Sequence, residues 1–243
     1  MEINNFWVDN NGTNIHFMES NFKANQDLPF IIIPGLSETA EDYLPLLKAF
    51  APRRCIVITL RGRGNSDAPL NGYTLENHIS DIDAVIKHLG LTEITLMGFS
   101  RGVSYTLGYA LDHIDSVKGL VLGDYPALHS QLPPEWADFF SALPPWRGRA
   151  LSERMKTHAI DGLQKDSKYV AFWDELNAIK CPVLVIRGGK QGSALSITDG
   201  KKYVEKIPQA NLVVFEESDH NIFEPKVDRF VDRVEQFLTS IKS

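Results

Sequence analysis

The chain has 243 residues, of which 43% are hydrophobic and 23% charged, with a formal net charge of -6. That length supports one sizeable core with a modest insertion, and the composition excludes a disordered or membrane-embedded chain. The acidic balance argues against a nucleic-acid binder, whose phosphate contacts need a basic face, and it disfavours a strongly anionic substrate.

Residues 6–8 and 14–18 have the pattern of two short strands joined by Asn10-Asn11-Gly12, a turn rich in residues that tolerate positive φ, so a hairpin at a sheet edge is expected. Residues 29–33 are apolar without alternation, as in a strand of a parallel sheet covered on both faces, and they end in Pro34-Gly35-Leu36-Ser37. Residues 40–50 are helical in pattern. The next buried strand, 55–60, closes on Arg61-Gly62-Arg63-Gly64-Asn65-Ser66-Asp67. Residues 75–89 carry Ile79, Ile82, Val85, Ile86 and Leu89 at helical spacing. A strand beginning at Ile94 runs into Gly98-Phe99-Ser100-Arg101-Gly102 and then an apolar helix over 103–111. Residues 117–122 form another strand, ended by Gly123-Asp124-Tyr125-Pro126, and 182–186 and 212–215 form two more. A closing amphipathic helix spans 226–241.

Strands alternating with helices at this rhythm predict a mostly parallel, doubly wound sheet, whose ligands bind beyond the carboxyl ends of its strands. The rhythm lapses over 127–180, so that stretch is expected to be a small helical cap inserted into a core domain made of 1–126 and 181–243. Of its aromatic residues, most are expected to pack the cap, with one or two facing an apolar substrate pocket. Cys55 and Cys181 each open an apolar run rather than a C-x-x-C pair, as buried free thiols of a reducing compartment would. No charged-then-apolar leader opens the sequence and no apolar run reaches the length of a membrane span, so a cytoplasmic setting without membrane association is expected. The histidines are scattered, and neither a metal nor a cofactor is expected.

Gly98-Phe99-Ser100-Arg101-Gly102 fits the G-x-S-x-G nucleophile elbow, in which a sharp strand-to-helix turn exposes the serine hydroxyl and glycines occupy positions where a Cβ would collide. A serine hydroxyl needs a base within hydrogen-bond reach, and His220, between the last strand and the last helix, is the candidate. His16, His78, His88, His113 and His158 are expected to be solvated, and His129 follows Asp124 closely enough to line the mouth of the site.

Together these marks resemble the α/β-hydrolase fold family over nearly the whole chain. Pro34-Gly35 stands where that family usually has His-Gly, and Arg61-Gly62-Arg63-Gly64-Asn65-Ser66-Asp67 is similar to its R-G-x-G-x-S-D turn. The tail Asp219-His220-Asn221-Ile222-Phe223-Glu224-Pro225 resembles its G-H-x-x-x-x-E-x-P ending, with Asp219 replacing the glycine. The resemblance implies an α/β-hydrolase fold with the backbone amides of Leu36 and Arg101 as oxyanion donors. Loss of one such donor typically costs about 100- to 1000-fold in rate. The Arg101 guanidinium would serve either a substrate carboxylate or a structural ion pair. Ser66 and Asp67 would tie their turn together, and Glu224 would fix the loop carrying His220.

The acid of the triad departs from the family pattern. The usual loop reads Arg187-Gly188-Gly189-Lys190-Gln191-Gly192-Ser193 and holds no carboxylate, and Asp199 comes only in the following helix. A subset of the family resembles this chain in placing an aspartate at the end of the preceding strand with a serine in the later loop. Asp124 is therefore the expected orienting acid, with Ser193 or Gln191 as an auxiliary neutral partner. Its alternatives are a helix-capping role for Asp124, Asp199 as the acid, or no acid at all. The implied activity is that of a serine hydrolase acting on a small ester, thioester or lactone through an acyl-enzyme on Ser100. The same fold also hosts carbon–carbon bond hydrolysis, perhydrolysis, cofactor-free dioxygenation and small-molecule sensing.

Overall fold

Asn11 and Gly12 both take positive φ, 53° and 85°, and their turn closes a hairpin of β1 (Glu2–Asn10) and β2 (Thr13–Asn21). The structure, a computed structural model, describes residues 2–21 and 27–241. After the hairpin come β3 (Phe30–Ile33), a 3-10 turn over Ala40–Tyr43 that leads into α1 (Leu44–Ala49), and β4 (Cys55–Thr59). The single helix expected over 40–50 is split because Pro45, in the first turn of α1, has no N–H to continue a helix from the preceding turn. Next follow α2 (Leu75–His88), β5 (Ile94–Phe99), α3 (Gly102–Asp112) and β6 (Val117–Gly123). The cap stretch contains β7 (Leu128–His129), α4 (Trp136–Ser141), α5 (Thr157–Asp166) and β8 (Val170–Ala171). The chain ends with β9 (Val183–Gly188), α6 (Ile197–Lys206), β10 (Ala210–Phe215) and α7 (Val227–Ser240).

Eight strands form one sheet in the order β1-β2-β4-β3-β5-β6-β9-β10, antiparallel through the hairpin and parallel from β4 onward. The alternation of side chains along each strand divides the core into two layers. Ile31 and Ile33 of β3 face Val85 and Ile86 of α2 and Val103 and Leu107 of α3. Phe30 and Ile32 face the other way, toward Leu46 and Leu47 of α1 and Phe230, Val234 and Leu238 of α7. The central strands β3, β4 and β5 are buried along their whole length, as their predominantly apolar sequences require.

Two histidines expected to be solvated are fully buried instead. His16 lies on β2, which pairs with β4 as well as β1, and its ring accepts from Thr59 Oγ1 (3.1 Å) and donates to Asn5 Oδ1 (2.8 Å). His78 stacks on Tyr105 with centroids 4.5 Å apart, donates through Nδ1 to Thr74 O (2.6 Å) and accepts at Nε2 from Arg63 Nη1 (2.6 Å). Both are tolerated inside because both ring nitrogens are satisfied, and burial pushes both pKa values down. Ser66 and Asp67 tie the glycine-rich turn to the hairpin: Ser66 Oγ accepts from His16 N (2.8 Å), and Asp67 Oδ2 accepts from Asn14 N (2.8 Å).

The cap is pinched at its base by the β7–β8 pair and by a hydrogen bond from Phe172 N to Ala127 O (3.0 Å). Phe172 and Trp173 sink into the sheet's core, while Trp136 and Phe140 stack on each other within the cap at 4.6 Å. Both cysteines are free, Cys55 buried and Cys181 partly so, and burial pushes the Cys181 thiol up to about 11. Among the described residues no helix is long and apolar enough to cross a membrane.

Candidate active site

The turn from β5 to α3 leaves no room for side chains at its glycines. A Cβ on Gly98 would stand 2.6 Å from both Gly102 O and Thr106 Oγ1, and one on Gly102 would strike the carbonyl oxygens of Ile33 and Pro34. Between them Ser100 adopts φ 53°, a left-handed conformation that a non-glycine residue holds only where its surroundings enforce it. Its N–H donates to Gly123 O (2.9 Å), and its own carbonyl accepts from Val103 N (2.9 Å) as α3 begins. The hydroxyl is thereby presented beyond the carboxyl end of the central strand.

Asp124 leaves the adjacent β6 at φ 47°, with its N–H bonded to Ile186 O (2.8 Å) of β9. Its carboxylate is fully buried and accepts four hydrogen bonds. Oδ1 takes Gly188 N (3.0 Å) and Ser193 Oγ (2.6 Å), while Oδ2 takes Ala194 N (2.8 Å) and His220 Nδ1 (2.8 Å). Burial alone would raise this carboxyl's pKa, but the four donors outweigh it and hold the group below its ordinary value.

His220 comes from the loop between β10 and α7 and stacks on Phe99 of the elbow strand, with ring centroids 5.0 Å apart. A carboxylate only accepts, so Nδ1 carries the proton and Nε2 is left to accept from Ser100 Oγ at 2.9 Å. Main-chain bonds hold the loop, among them Lys190 N to Ser218 O (2.9 Å) and Glu224 N to Asn221 O (3.0 Å), and Ser218 Oγ donates to Glu224 O. The expectation that Glu224 fixes this loop needs correction on that point: its carboxylate is exposed and its main chain does the holding.

The structure thus brings Ser100, His220 and Asp124 together, with Ser193 behind Asp124. Gln191 is exposed and bonds to neither Asp124 nor His220. Asp199 stays at the start of α6, where its carboxylate accepts from Ser196 Oγ (2.8 Å).

Ser100 and His220 open into a cavity of about 340 Å³ together with Leu36, Phe140 and Trp146. The chain after β3 runs tightly against the serine, since a Cβ on Gly35 would lie 3.4 Å from Ser100 Cβ. The amides of Leu36 and Arg101 have no hydrogen-bond partner among the described residues. Leu36 is held from behind, where its carbonyl accepts from Arg63 Nε (2.9 Å).

Glu38, which the sequence did not single out, anchors this loop. It is 3% exposed and accepts from Gly35 N (2.9 Å) and Tyr43 OH (2.6 Å) through Oε2. Its Oε1 accepts from Trp146 Nε1 (2.8 Å) in the cap and lies 3.4 Å from Arg147 Nε. Arg147 also reaches Asn221 Oδ1 (3.3 Å), beside His220, and lies 4.5 Å from the Phe223 ring centroid. One cap strap therefore touches both the loop after β3 and the loop carrying His220.

Two expectations are corrected. Among the described residues Arg101 forms no ion pair, and it does not line the cavity; its guanidinium donates to His129 Nε2 (2.8 Å), Ser130 Oγ (2.7 Å) and Tyr105 OH (3.2 Å). His129 is buried rather than at the mouth, because Nδ1 bonds to Ser104 Oγ (2.9 Å) and Nε2 faces Arg101, and burial with that cation lowers its pKa to about 3. Among the described residues no group of three or more His, Cys, Asp or Glu side chains could hold a metal ion.

Residues 29–153 match the family model described as alpha/beta hydrolase fold. The chain is 27% identical over 220 residues to AB hydrolase superfamily protein YisY of Bacillus subtilis (strain 168), across 77% of this chain and 82% of that one. The enol-lactonase of Burkholderia xenovorans LB400 superposes with a TM-score of 0.81 at 20% identity, covering 96% of this chain and all of its own, 100%. The esterase RhEst1 of Rhodococcus sp. ECU1013 superposes with a TM-score of 0.80 at 24% identity, over 100% of both chains. The chain belongs to the α/β-hydrolase fold family and is an enzyme of that family.

Proposed function

We propose that this hydrolase cleaves a small carboxylic ester, thioester or lactone by acyl transfer through Ser100. The observation that carries the reading is the unbroken hydrogen-bond chain from Ser100 Oγ to His220 Nε2 (2.9 Å) and from His220 Nδ1 to Asp124 Oδ2 (2.8 Å). That chain ends in a cavity lined by Leu36, whose amide, like that of Arg101 next to Ser100, has no hydrogen-bond partner among the described residues. The names of the structurally similar proteins, an esterase and an enol-lactonase, accord with it.

In this reading Ser100 Oγ attacks the acyl carbon as its proton passes to His220 Nε2. The carbonyl oxygen becomes an oxyanion, received by the amides of Leu36 and Arg101. Asp124 holds His220 in the Nδ1–H tautomer and stabilises the imidazolium that forms, remaining ionised itself. The tetrahedral intermediate collapses, and His220 returns the proton to the departing alkoxide or thiolate, which stays tethered if the substrate is a lactone. Water, deprotonated by His220, then attacks the acyl-enzyme, releasing the acid and restoring the serine. Glu38 works one step back, fixing the loop that presents Leu36 N.

Turnover of p-nitrophenyl acetate and butyrate tests the reading. The wild type should hydrolyse both esters and Ser100→Ala should hydrolyse neither. A folded wild type inert toward both, and toward simple lactones, would overturn it.

A further inference from the structure

Where the cap meets the loop after β3, three guanidiniums share two buried carboxylates. Arg147 Nε lies 3.4 Å from Glu38 Oε1, and Arg149 Nη1 and Arg154 Nη2 lie 3.1 and 3.3 Å from the same oxygen, Asp42 Oδ1. The nearby acids do not make up the difference. Glu41 accepts from Asn65 Nδ2 (2.5 Å), Glu153 accepts from Ala150 N (2.6 Å), and neither forms an ion pair with these arginines. The cluster therefore holds one positive charge more than its own carboxylates cancel.

Arg154 carries the unmet part. Its side chain is 1% exposed, and Nη2 is occupied by Asp42 and by Trp146 O. Its Nε and Nη1 are shielded from solvent and have no hydrogen-bond partner among the described residues. Burial acts against the charge and lowers the pKa of this guanidinium, so a further anion beside it would be favoured. Arg154 and Arg149 line the same cavity as Ser100 and His220, in a wall otherwise dominated by apolar residues such as Phe140, Leu143 and Leu151.

We infer that Arg154, assisted by Arg149, forms a carboxylate-recognition subsite, and that the substrate is a short ester or lactone bearing a free carboxylate in addition to its scissile carbonyl. The inference rests on the acyl-transfer reading of Ser100 and names its substrate class. A guanidinium fork matches a carboxylate in shape and charge, and the surrounding apolar wall strengthens the pairing by excluding water. It also revises the expectation drawn from net charge: a value of -6 describes the whole surface, whereas recognition depends on the local excess at the cavity.

The test compares ester pairs that differ only in a carboxylate for a methyl: monomethyl succinate against methyl butanoate, and monomethyl adipate against methyl hexanoate, followed by methanol release. The wild type should favour at least one half-ester by about tenfold or more in kcat/KM, mainly through KM, as a charge-assisted hydrogen bond implies. In Arg154→Gln that ratio should fall toward one, and Arg154→Lys should restore part of it. Wild-type ratios of one or below on esters that are hydrolysed would overturn the subsite, as would an unchanged ratio in folded Arg154→Gln. Should Arg154→Gln fail to fold, the wild-type ratios and calorimetry with succinate and adipate decide the matter. If no ester is turned over, the Ser100 reading fails by itself. Dicarboxylate binding to the wild type and to Ser100→Ala would then still support the subsite, and its absence would refute it.

Discussion

Two buried carboxylates flank Ser100, and they are neutralised in different ways. Asp124, at the end of β6, is met by three neutral donors and one imidazole, and among the described residues it pairs with no lysine or arginine. Glu38, in the loop after β3, is met by an amide, a phenol and an indole and lies beside the Arg147 guanidinium. In the proposed mechanism Asp124 is thus left to stabilise a positive charge that appears only when His220 takes a proton. Glu38 already has its counter-charge and spends its hydrogen bonds on position, joining the loop of Leu36 to the cap. The contrast teaches that a buried acid beside a nucleophile is assigned by what neutralises it, since burial and proximity are common to both.

The largest expected break in that contrast is Asp124→Asn. The amide can still accept from Gly188 N and Ser193 Oγ, so the fold should persist, but an NH2 group turned toward His220 Nδ1 favours the wrong tautomer. A loss of kcat of about 10⁴-fold is expected from steady-state ester hydrolysis. Glu38→Gln keeps the shape and removes the charge, leaving Arg147 without its partner. Loosening of the Leu36 loop should lower kcat by about 10- to 100-fold, as misplacements near 1 Å do. This change should leave the pH dependence of kcat/KM where it was, because Glu38 does not touch His220. Ser193→Ala removes one of Asp124's four donors and should cost about tenfold or less in kcat; a loss matching that of Asp124→Asn would give Ser193 more than an auxiliary place.

The smallest effect is on stability in mild acid. Asp124, with its pKa held below the ordinary value, is ionised in both folded and unfolded chains above about pH 5, so it does not contribute to stability changes there. His129 and His78 do contribute. Both are kept neutral in the fold, with His129 lowered to about 3, whereas in the unfolded chain each binds a proton below about pH 6.5. Unfolding takes up protons, so stability rises with pH and falls as pH drops from 6.5 toward 5, by up to about 1.4 kcal/mol per pH unit for each histidine. Denaturant midpoints measured at pH 7.5, 6.0 and 5.0 should show that slope, and His129→Gln should remove about one histidine's share. An unchanged slope in that variant would place the proton uptake elsewhere.

How much of this was legible in the sequence depended on how local the cause was. The elbow around Ser100 is written in glycines two residues to either side: Gly98 is crowded by the turn's own Gly102 and Thr106, and Gly102 by the end of the neighbouring strand at Ile33 and Pro34. Asp124 was reachable only through the family resemblance, which marks residues 187–193 as the usual place of the acid, where there is none, and the end of a neighbouring strand as the place a subset of the family uses. Glu38 and Arg154 were not legible. Glu38 is met by Trp146 and Arg147 and Arg154 by Asp42 and the Trp146 carbonyl, and the Glu38–Trp146 bond closes a separation of 108 residues that no periodicity announces. His16 and His78 were misread for a related reason. A histidine is stable inside only when partners such as Thr59 and Asn5, or Thr74 and Arg63, meet both nitrogens, and those partners are gathered by sheet pairing and the glycine-rich turn. The place of Arg101 directly after Ser100 is read from the sequence, but its side-chain partners come from α3 and from the entry to the cap.

The most direct test of the central claim is the rate of fluorophosphonate labelling, read by intact mass, in the wild type, Asp124→Asn and Asp199→Asn. The account predicts single labelling of the wild type at Ser100, a comparable rate in Asp199→Asn, and a rate reduced by orders of magnitude in Asp124→Asn. Labelling of Asp124→Asn at the wild-type rate, or a loss confined to Asp199→Asn, would contradict it.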